Sequence, residues 1–497
     1  MSRKLLIMSI LAMLGAQGMS AQTFEDLLRY SQKFYQGDAR SVGVGNSIGA
    51  FGADPMSMSI NPAGIGLYRK NEFSFGFGLE KPTATANYLN NENEDDKYNL
   101  NVGNLSVIIA NLRYDDNNNV PKDGWVAFNF GIGFNRSNSF QSHVTLQGQN
   151  TKSSIADYFA NQAYGYTPGS WEGQQFSYPY LAIHNGLIGP VSNDSLTYGS
   201  VERAKGTIQR DEISTRGSMN DICLTFGGNY SNRVYVGATL AFPTIGFHSI
   251  RNYTETHISS ADTVQSIGLN EVVNTTGIGI TANFGAIIRL NDYFRVGASI
   301  QLPSFYSMSD DYTYTLSTDI KIYTPSAYSY SSPQGSFDYS IVTPFRYTLS
   351  GAFIAGKNGF INLDYEYVDY TSARITTTYP GSSLVKQDVQ NFLSSGNNIR
   401  IGGEYRFDVW ALRAGLGFYS SPYSAKYKDS ANTGANDKSV FMYSLGIGYH
   451  PGSFFMDFAY QVYNSTYVYA PYAPASENNA TIKDVRSIGI LTMGWKF

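Results

Sequence analysis

Two carboxylates, Asp364 and Glu366, stand two residues apart in the alternating stretch 360–368. Paired carboxyl groups on one face can serve acid–base catalysis. In this stretch both lie on the face opposite Ile361 and Leu363, and the same face of other predicted strands carries arginines. Ion pairing with those arginines is therefore the favoured interpretation, and catalysis is the lesser alternative.

Other residue types that could catalyse a reaction or bind a metal are few and scattered. Cys223 is the single cysteine, so no intrachain disulfide can form, and it fits a small filler residue inside a predicted strand. The histidines match no nucleophile or metal-ligand spacing. The sequence predicts no enzyme, no cofactor and no metal site. The five histidines are His143, His184, His248, His257 and His450.

Charged residues on one face of the predicted strands form the second chemical feature. Opposite signs fall on neighbouring strands, which predicts a paired network inside a barrel rather than an open, water-filled pore. We expect this network to hold an internal plug in place. Its members are Arg346, Asp364, Glu366, Arg400, Glu404, Arg406, Arg413, Asp457, Arg486 and Lys496.

The elements that must position these residues are β-strands, because apolar and polar residues alternate with a period of two. Tight turns such as Ser231-Asn232, Asn291-Asp292 and Pro451-Gly452 join them in hairpins, and long polar stretches separate the hairpins. The pattern predicts an all-β, antiparallel transmembrane barrel of about 14 strands with both ends in the periplasm. The predicted strands are 72–88, 102–114, 123–138, 219–230, 233–247, 275–290, 293–307, 341–356, 359–373, 397–407, 409–420, 438–450, 453–468 and 484–497.

The composition supports a barrel in lipid. Charged residues make up 15% of the chain, against about 25% in an average soluble domain. Tyrosine (39) and phenylalanine (30) are abundant, as expected of strands with aromatic girdles. Beyond the first residues no run of about 18 apolar residues occurs, which excludes a helical membrane protein. The net charge of −4 gives no reason to expect nucleic acid as a partner.

Both ends of the chain predict export to an outer membrane. Arg3 and Lys4 precede a short apolar run, and small residues lead to a cleavage point after Ala21, so residues 1–21 are expected to be a cleaved signal peptide. The last strand alternates up to Phe497. A terminal aromatic residue on such a strand resembles the signal read by the β-barrel assembly machinery of Gram-negative bacteria.

Residues 22–70 do not alternate and form a separate N-terminal arm and hatch before the barrel, residues 71–497. Small residues dominate, so the backbone can approach other surfaces closely. Asn61-Pro62-Ala63-Gly64 suits a type I turn. The glycine spacing lacks the strand and the lysine of a phosphate-binding loop. A segment of this kind directly before the first strand fits a plug folded into the barrel. The candidate hatch residues are Gly43, Gly45, Gly49, Asp54, Asn61, Pro62, Ala63 and Gly64.

This run, from Ala39-Arg40 to Asn61-Pro62-Ala63-Gly64 and into an aromatic first strand at Phe73, resembles the FadL/toluene-transport family. The resemblance is close over about 30 residues and architectural over the rest. It implies a barrel of fourteen strands with an N-terminal hatch that carries hydrophobic molecules across the outer membrane. It also implies that the hatch near residues 61–64 moves to release ligand, which leaves sideways through the wall.

Passive uptake of a hydrophobic solute, long-chain fatty acid-like or aromatic, is therefore the leading functional hypothesis. The longest predicted loop, 139–218, could collect it above the lipopolysaccharide layer. Ser154-Ile155-Ala156-Asp157 signals the start of a short helix there. Packing of the loop's own core is the alternative role of its apolar residues. The candidate collecting residues are Ile155, Tyr158, Phe159, Trp171 and Phe176.

Two other functions remain open at this point. Some FadL-like barrels resemble adaptor or shuttle components of type IX secretion, and large external loops would suit that role as well. A haem-type receptor is the other alternative. In each case the expected partners are a hydrophobic small molecule, outer-membrane lipid and lipopolysaccharide, and the assembly machinery, and the expected state is a monomer.

Overall fold

The computed structural model describes residues 23–171, 174–191, 194–201, 206–377, 382–430, 437–472 and 479–497. The predicted signal peptide, residues 1–21, lies outside the described residues. None of the described helices is both long and apolar enough to cross a membrane.

Fourteen antiparallel strands form one closed barrel, which confirms the predicted fold class and strand number. Two of the strands continue after a short break at a proline, and a third after a 3-10 turn. The strands are β1 (Glu72–Tyr88), β2 (Asn99–Ile109), β3 (Trp125–Ser139), β4 (Thr207–Tyr230), β5 (Val234–His257), β6 (Val264–Arg289), β7 (Phe294–Gln301 and Phe305–Ile320), β8 (Gly335–Val342 and Arg346–Ile354), β9 (Gly359–Asp369 and Arg374–Thr376), β10 (Ser395–Phe407), β11 (Trp410–Tyr419), β12 (Val440–Tyr449), β13 (Phe454–Tyr469) and β14 (Ala480–Lys496).

The barrel closes where the last strand pairs with the first. The register between β14 and β1 runs without a break from Glu72 opposite Lys496 to Tyr88 opposite Ala480. Beyond it, the backbone N–H groups of Asn71 and Phe497 each donate to the other residue's carbonyl, at 3.0 and 3.1 Å. Phe497 thus stands at the seam, and the closed ladder leaves no strand edge unpaired at this point.

The outer surface alternates as lipid contact requires. Outward residues such as Leu363, Ile401 and Leu416 are close to half exposed, while their neighbours along each strand are buried inside the barrel. Aromatic residues gather at the strand ends beside the short turns, as in the girdles of membrane barrels. They include Trp125, Tyr230, Phe294, Phe407, Trp410 and Trp495.

At the end away from the short turns, three strands run much further than the alternation predicts. β4 and β5 have 24 residues each and β6 has 26, whereas about 9–11 residues span a bilayer. The predicted long loop at 248–274 is therefore mostly strand. The alternation ends where the wall leaves the lipid, because the outer face no longer has to be apolar there, but backbone pairing continues.

The short helices lie inside the barrel or beyond its long strands. In the N-terminal segment (residues 23–71) they are α1 (Phe24–Ser31), α2 (Ala39–Gly43) and α3 (Ser57–Ile60), followed by a 3-10 turn at Pro62–Leu67. In the long connections they are α4 (Ile155–Ala163), α5 (Tyr178–His184), α6 (Ser382–Phe392) and α7 (Ala425–Ser430).

Candidate functional site

The N-terminal segment passes lengthwise through the lumen. The ring of Phe24 in α1 packs on that of Phe392 in α6, at 5.3 Å between centroids, at the end with the long strands. The segment leaves at Asn71 beside Phe497, at the end with the short turns. Residues 38–68 are buried except for a few partly exposed side chains. The segment therefore occupies the lumen along most of its length.

Glycines of the wall receive this backbone at close range. A Cβ atom on Gly402 would overlap the carbonyl oxygen of Val44, and one on Gly415 would overlap Gly45. Gly45 itself has φ +65°, a left-handed conformation that glycine adopts at little cost. Small residues on both partners let main chain lie against main chain, which explains the glycine spacing around residues 43–49.

The turn at Asn61 is held by its own side chain. The Asn61 Oδ1 accepts from the backbone N–H of Ala63 at 3.2 Å, and its Nδ2 donates to the carbonyl of Gly49 at 2.6 Å. The same Nδ2 donates to Ala286 of β6 at 3.3 Å. Gly64 lies so close to Ser57 that a Cβ atom would clash with its side chain. Residues 61–64 thus form a compact turn that is bonded to Gly49 and to β6.

A buried charge cluster joins the N-terminal segment to three strands. It lies in the half of the lumen nearer the short turns, which is called the lower half below. Glu404 of β10 accepts from Arg40 at 3.0 Å, from Arg406 at 2.7 Å and from Arg413 at 2.6 Å. Arg413 also pairs with Asp457 of β13 at 2.6 Å. Only Arg40 belongs to the N-terminal segment, and it also donates to the Ala53 carbonyl at 2.9 Å.

A second cluster lies higher in the lumen. Glu366 pairs with Arg346 at 3.1 Å and with Arg400 at 3.6 Å. Asp364 lies 3.9 Å from Arg400 and accepts from the backbone N–H of Gly49 at 3.3 Å. The structure therefore brings Asp364 and Glu366 to arginines, the arrangement favoured over a catalytic pair. Among the described residues no group of His, Cys, Asp and Glu could hold a metal ion.

Four polar residues that form buried contacts in the lumen were not among the charged residues predicted to face it. Lys33 of the segment pairs with Asp221 of β4 at 3.0 Å, and both are buried. Arg40 binds Glu404, and His450 lies 2.9 Å from Asp457. The partners of Lys33 and Arg40 are distant in sequence, so neither spacing nor alternation identifies those two pairs, whereas Asp457 follows His450 after seven positions. A charged residue within an otherwise small-residue run, as Arg40 is, was the one available signal.

An apolar chamber lies in the upper half of the lumen, toward the long strands, and α1 fills it. Leu27, Leu28 and Tyr30 are buried among inward residues of five strands, β4, β5, β7, β8 and β9, and beside Phe140 just after β3. The wall of this chamber is formed by Phe140, Met219, Ile245, Phe247, Tyr306, Met308, Tyr339, Ile341, Val368, Tyr370 and Ile375. Hydrogen bonds to the wall begin at the end of α1, where Arg346 donates to the carbonyl of Ser31 and Asn138 donates to that of Gln32 at 3.1 Å.

The wall beside this chamber is interrupted at one height on three adjacent strands. β7 breaks around Pro303 and β8 around Pro344, and the register of the flanking pairs places these two prolines opposite each other. β9 breaks next to them in a 3-10 turn, Tyr370–Ser372. Proline has no N–H group to donate, so the regular ladder is interrupted here. Beside the prolines the Thr343 N–H donates to the Ser304 carbonyl at 3.0 Å, and the Ser304 N–H donates to Thr343 Oγ1 at 2.9 Å.

The connection between β3 and β4 covers the far end of the lumen. Its helix α4 has a capping box between Ser154 and Asp157, and the buried Glu255 of β5 accepts from the Ser154 hydroxyl at 2.6 Å and from the Ile155 N–H at 2.7 Å. Ile155, Phe159 and Trp171 are buried in one apolar cluster, against which Tyr158 packs. Phe176 packs on Tyr312 of β7, at 5.4 Å between ring centroids.

These contacts predict a structural effect of Phe159. We expect Phe159→Ala to lower the folding stability of the connection by about 3–5 kcal/mol, because it removes a buried aromatic ring that stacks on Tyr178. Limited proteolysis of the purified barrel should cut between β3 and β4 faster in the variant. Tyr164→Ala, on an exposed side chain of the same connection, is the control and should be cut at the wild-type rate.

Several solved structures have a similar fold. Over 93% of the chain and 99% of theirs, the structure matches a FadL homologue of Pseudomonas aeruginosa (TM-score 0.53, 12% identity) and the toluene transporter TodX of P. putida (TM-score 0.50, 11% identity). A deletion mutant of TodX, described as a monoaromatic hydrocarbon channel, matches with a TM-score of 0.52 and 11% identity. No family model and no curated protein matches the chain. At these identities the likeness shows a FadL-type fold.

Proposed function

We propose that this protein is an outer-membrane transport protein for the passive uptake of hydrophobic small molecules. The observation that carries the proposal is the apolar chamber around α1 inside a closed barrel. Porins that pass water-soluble molecules have a polar, water-filled lumen, whereas here the chamber around α1 is lined by aromatic and aliphatic side chains. The shared fold with a toluene transporter is consistent with an apolar passenger.

Extraction of the purified barrel tests the proposal. The protein is isolated in detergent, extracted with organic solvent, and the extract is compared by mass spectrometry with that of an unrelated barrel prepared alongside. Uptake predicts a specific apolar compound at a stoichiometric level. An empty extract together with a stable, stoichiometric protein partner would instead support a secretion adaptor.

The N-terminal segment is the element that has to move for a solute to pass. It is fastened by Arg40, Lys33 and the Asn61 turn, and it fills the lumen along its length. The cavities beside it hold about 10–20 Å³, room for roughly one water molecule each. In this proposal the unit around residues 38–64 acts as a hatch that shifts when solute enters the chamber.

The interrupted wall offers the exit. Tyr306, Ile341, Val368 and Tyr370 line the chamber on the three interrupted strands, β7, β8 and β9. Fewer ladder hydrogen bonds must separate at this height than elsewhere in the wall. An apolar solute in the chamber therefore has a short path sideways into lipid, and it need not cross the charged lower half of the lumen.

A disulfide across the break is expected to block this path. Leu302 and Phe345 stand opposite each other in register, so a Leu302→Cys/Phe345→Cys pair in a Cys223→Ala background should oxidise. We expect uptake of labelled toluene into cells to fall by about tenfold when the pair is oxidised and to recover on reduction. The control pair is Phe294→Cys/Phe353→Cys on the intact part of the same ladder. Equal uptake in the two oxidised pairs would contradict the exit.

A further inference from the structure

Two buried carboxyl groups of the N-terminal segment lie side by side near the end of the lumen with the short turns. Asp38 caps α2 by accepting with Oδ1 from the N–H groups of Arg40 and Ser41, at 2.9 and 3.0 Å. Asp54 accepts with Oδ1 from the N–H of Met56 at 3.0 Å. The Oδ2 atom of each is buried and accepts no hydrogen bond from the described residues.

Both groups border one small cavity of about 20 Å³. Its lining carries four carboxyl groups, those of Asp38, Asp54, Glu72 and Asp457, against two permanent cations and one histidine, Arg40, Lys496 and His450. The hydroxyl of Tyr68 also lies near, and donates to Glu72 at 3.3 Å.

The cationic side chains that line this cavity form ion pairs with other carboxylates. Asp457 pairs with Arg413 and His450. Glu72 pairs with Lys496 at 3.4 Å. Arg40 is held by Glu404, beside Arg406 and Arg413. Arg40 still attracts the charge of Asp54 and opposes the rise of its pKa, but among the described residues no cation forms an ion pair with Asp38 or Asp54.

We propose that Asp38 and Asp54 share one proton between their Oδ2 atoms, and that loss of this proton releases the N-terminal segment. With the proton present, one carboxyl donates to the other and joins the start of α2 to the turn before α3. When the proton leaves to water, two carboxylates face each other in a site of low dielectric and repel. The proposal deepens the proposed function, since it names what controls the hatch.

The sign of the pH dependence follows from the burial. Burial, and next the neighbouring charge of Asp38, raise the pKa of Asp54 well above its ordinary value. A group whose pKa is raised in the folded state stabilises that state at low pH, and the stabilisation disappears as the pH rises through the raised pKa. The closed segment should therefore be most stable on the acid side and should open as the pH rises.

Infrared spectroscopy tests for the proton directly. The full-length barrel in lipid should show the C=O stretch of a protonated carboxyl group at a pH where ordinary carboxyls are ionised, above about 5. The band should vanish as the pH rises, and it should be absent from Asp54→Asn. Absence of the band from the wild-type protein would overturn the proposal.

Planar-bilayer recordings test the release. Between about pH 5 and about pH 9, wild-type openings should become at least about tenfold more frequent, because the ionised fraction rises tenfold per pH unit below the pKa. Asp54→Asn and Asp38→Asn should stay closed throughout, since an amide can donate to the remaining carboxylate and asparagine still caps a helix. Asp408→Asn, on an exposed turn with φ +51°, is the control and should follow the wild-type curve.

The outcomes separate this proposal from the proposed function. Retention of the wild-type pH dependence in both asparagine variants would overturn the shared proton. Heat-modifiable electrophoretic mobility shows whether each variant folds, and either variant alone suffices for the comparison. Neither measurement uses a transported solute, so a negative result here leaves hydrophobic uptake standing, and an empty extract leaves the shared proton standing.

Discussion

Replacing Glu404 with glutamine should destabilise the closed lumen more than any other single change in the charge clusters. Glu404 is 4% exposed and is the carboxylate shared by Arg40, Arg406 and Arg413. The amide keeps the size of the side chain but loses its charge, so three guanidinium groups remain near each other with one fewer compensating carboxylate. Breaking a buried ion pair typically costs about 3–5 kcal/mol.

Two measurements test the effect of Glu404→Gln. The loss of stability should appear as a lower temperature of conversion from the folded to the unfolded electrophoretic band. Loss of the Arg40 contact should also raise leakage of small solutes in a liposome-swelling assay, since Arg40 joins the segment to the wall. Asp292→Asn removes a surface pair, with the Asp292 side chain 83% exposed, and should change stability by under about 1 kcal/mol. Similar losses in both variants would contradict the assigned role of Glu404.

Gly402→Ala should displace the N-terminal segment from its position against β10 while the barrel itself stays folded. The added Cβ atom would point at the carbonyl oxygen of Val44, which is backbone and cannot rotate away. In strand β10 itself alanine is tolerated, because the position needs no left-handed conformation. The expected result is a folded barrel whose segment has shifted away from β10, with leakage of small solutes well above wild type.

A matched glycine gives the control. Gly351 lies in β8, and a Cβ atom there would meet nothing within 4 Å. Gly351→Ala should therefore leave both stability and leakage unchanged. Protease sensitivity within residues 38–64 should rise in Gly402→Ala alone. If Gly402→Ala were as tight and as resistant as wild type, close packing of the segment against this wall would be disproved.

The barrel could be predicted from the sequence because the physical constraint on each of its strands is local. A strand that faces lipid on one side must alternate, so residues such as Ile399 and Arg400 identify their own faces. Turn residues mark where strands reverse, and Ser231, Asn232 and Asp408 adopt the left-handed conformations that such turns need. Counting these signals leads to fourteen strands, and the structure confirms that number.

The interior could be predicted only in outline. Alternation placed Glu404, Arg413 and Asp364 on the inner face together with their partners on other strands, but not the partners that the N-terminal segment provides. Arg40 meets Glu404 across 364 positions of the chain, and Lys33 meets Asp221 across 188. Such pairs depend on how the segment is threaded through a closed ring, which no local pattern records. Ile155, Tyr158 and Phe159 likewise follow helical spacing, and only packing shows that they lie in one apolar cluster with Trp171.

Phe24, Leu27 and Leu28 show most clearly what the sequence determines by itself and what only the tertiary structure decides. Their helical spacing predicts a short helix or a loose arm from the sequence alone, and the structure has a helix there, Phe24–Ser31. That this helix fills the apolar chamber, beside a wall broken at Pro303 and Pro344, is decided by tertiary structure. An apolar helix face specifies that it must be buried but not against what, because the hydrophobic effect has no direction. The closed barrel supplies the partner.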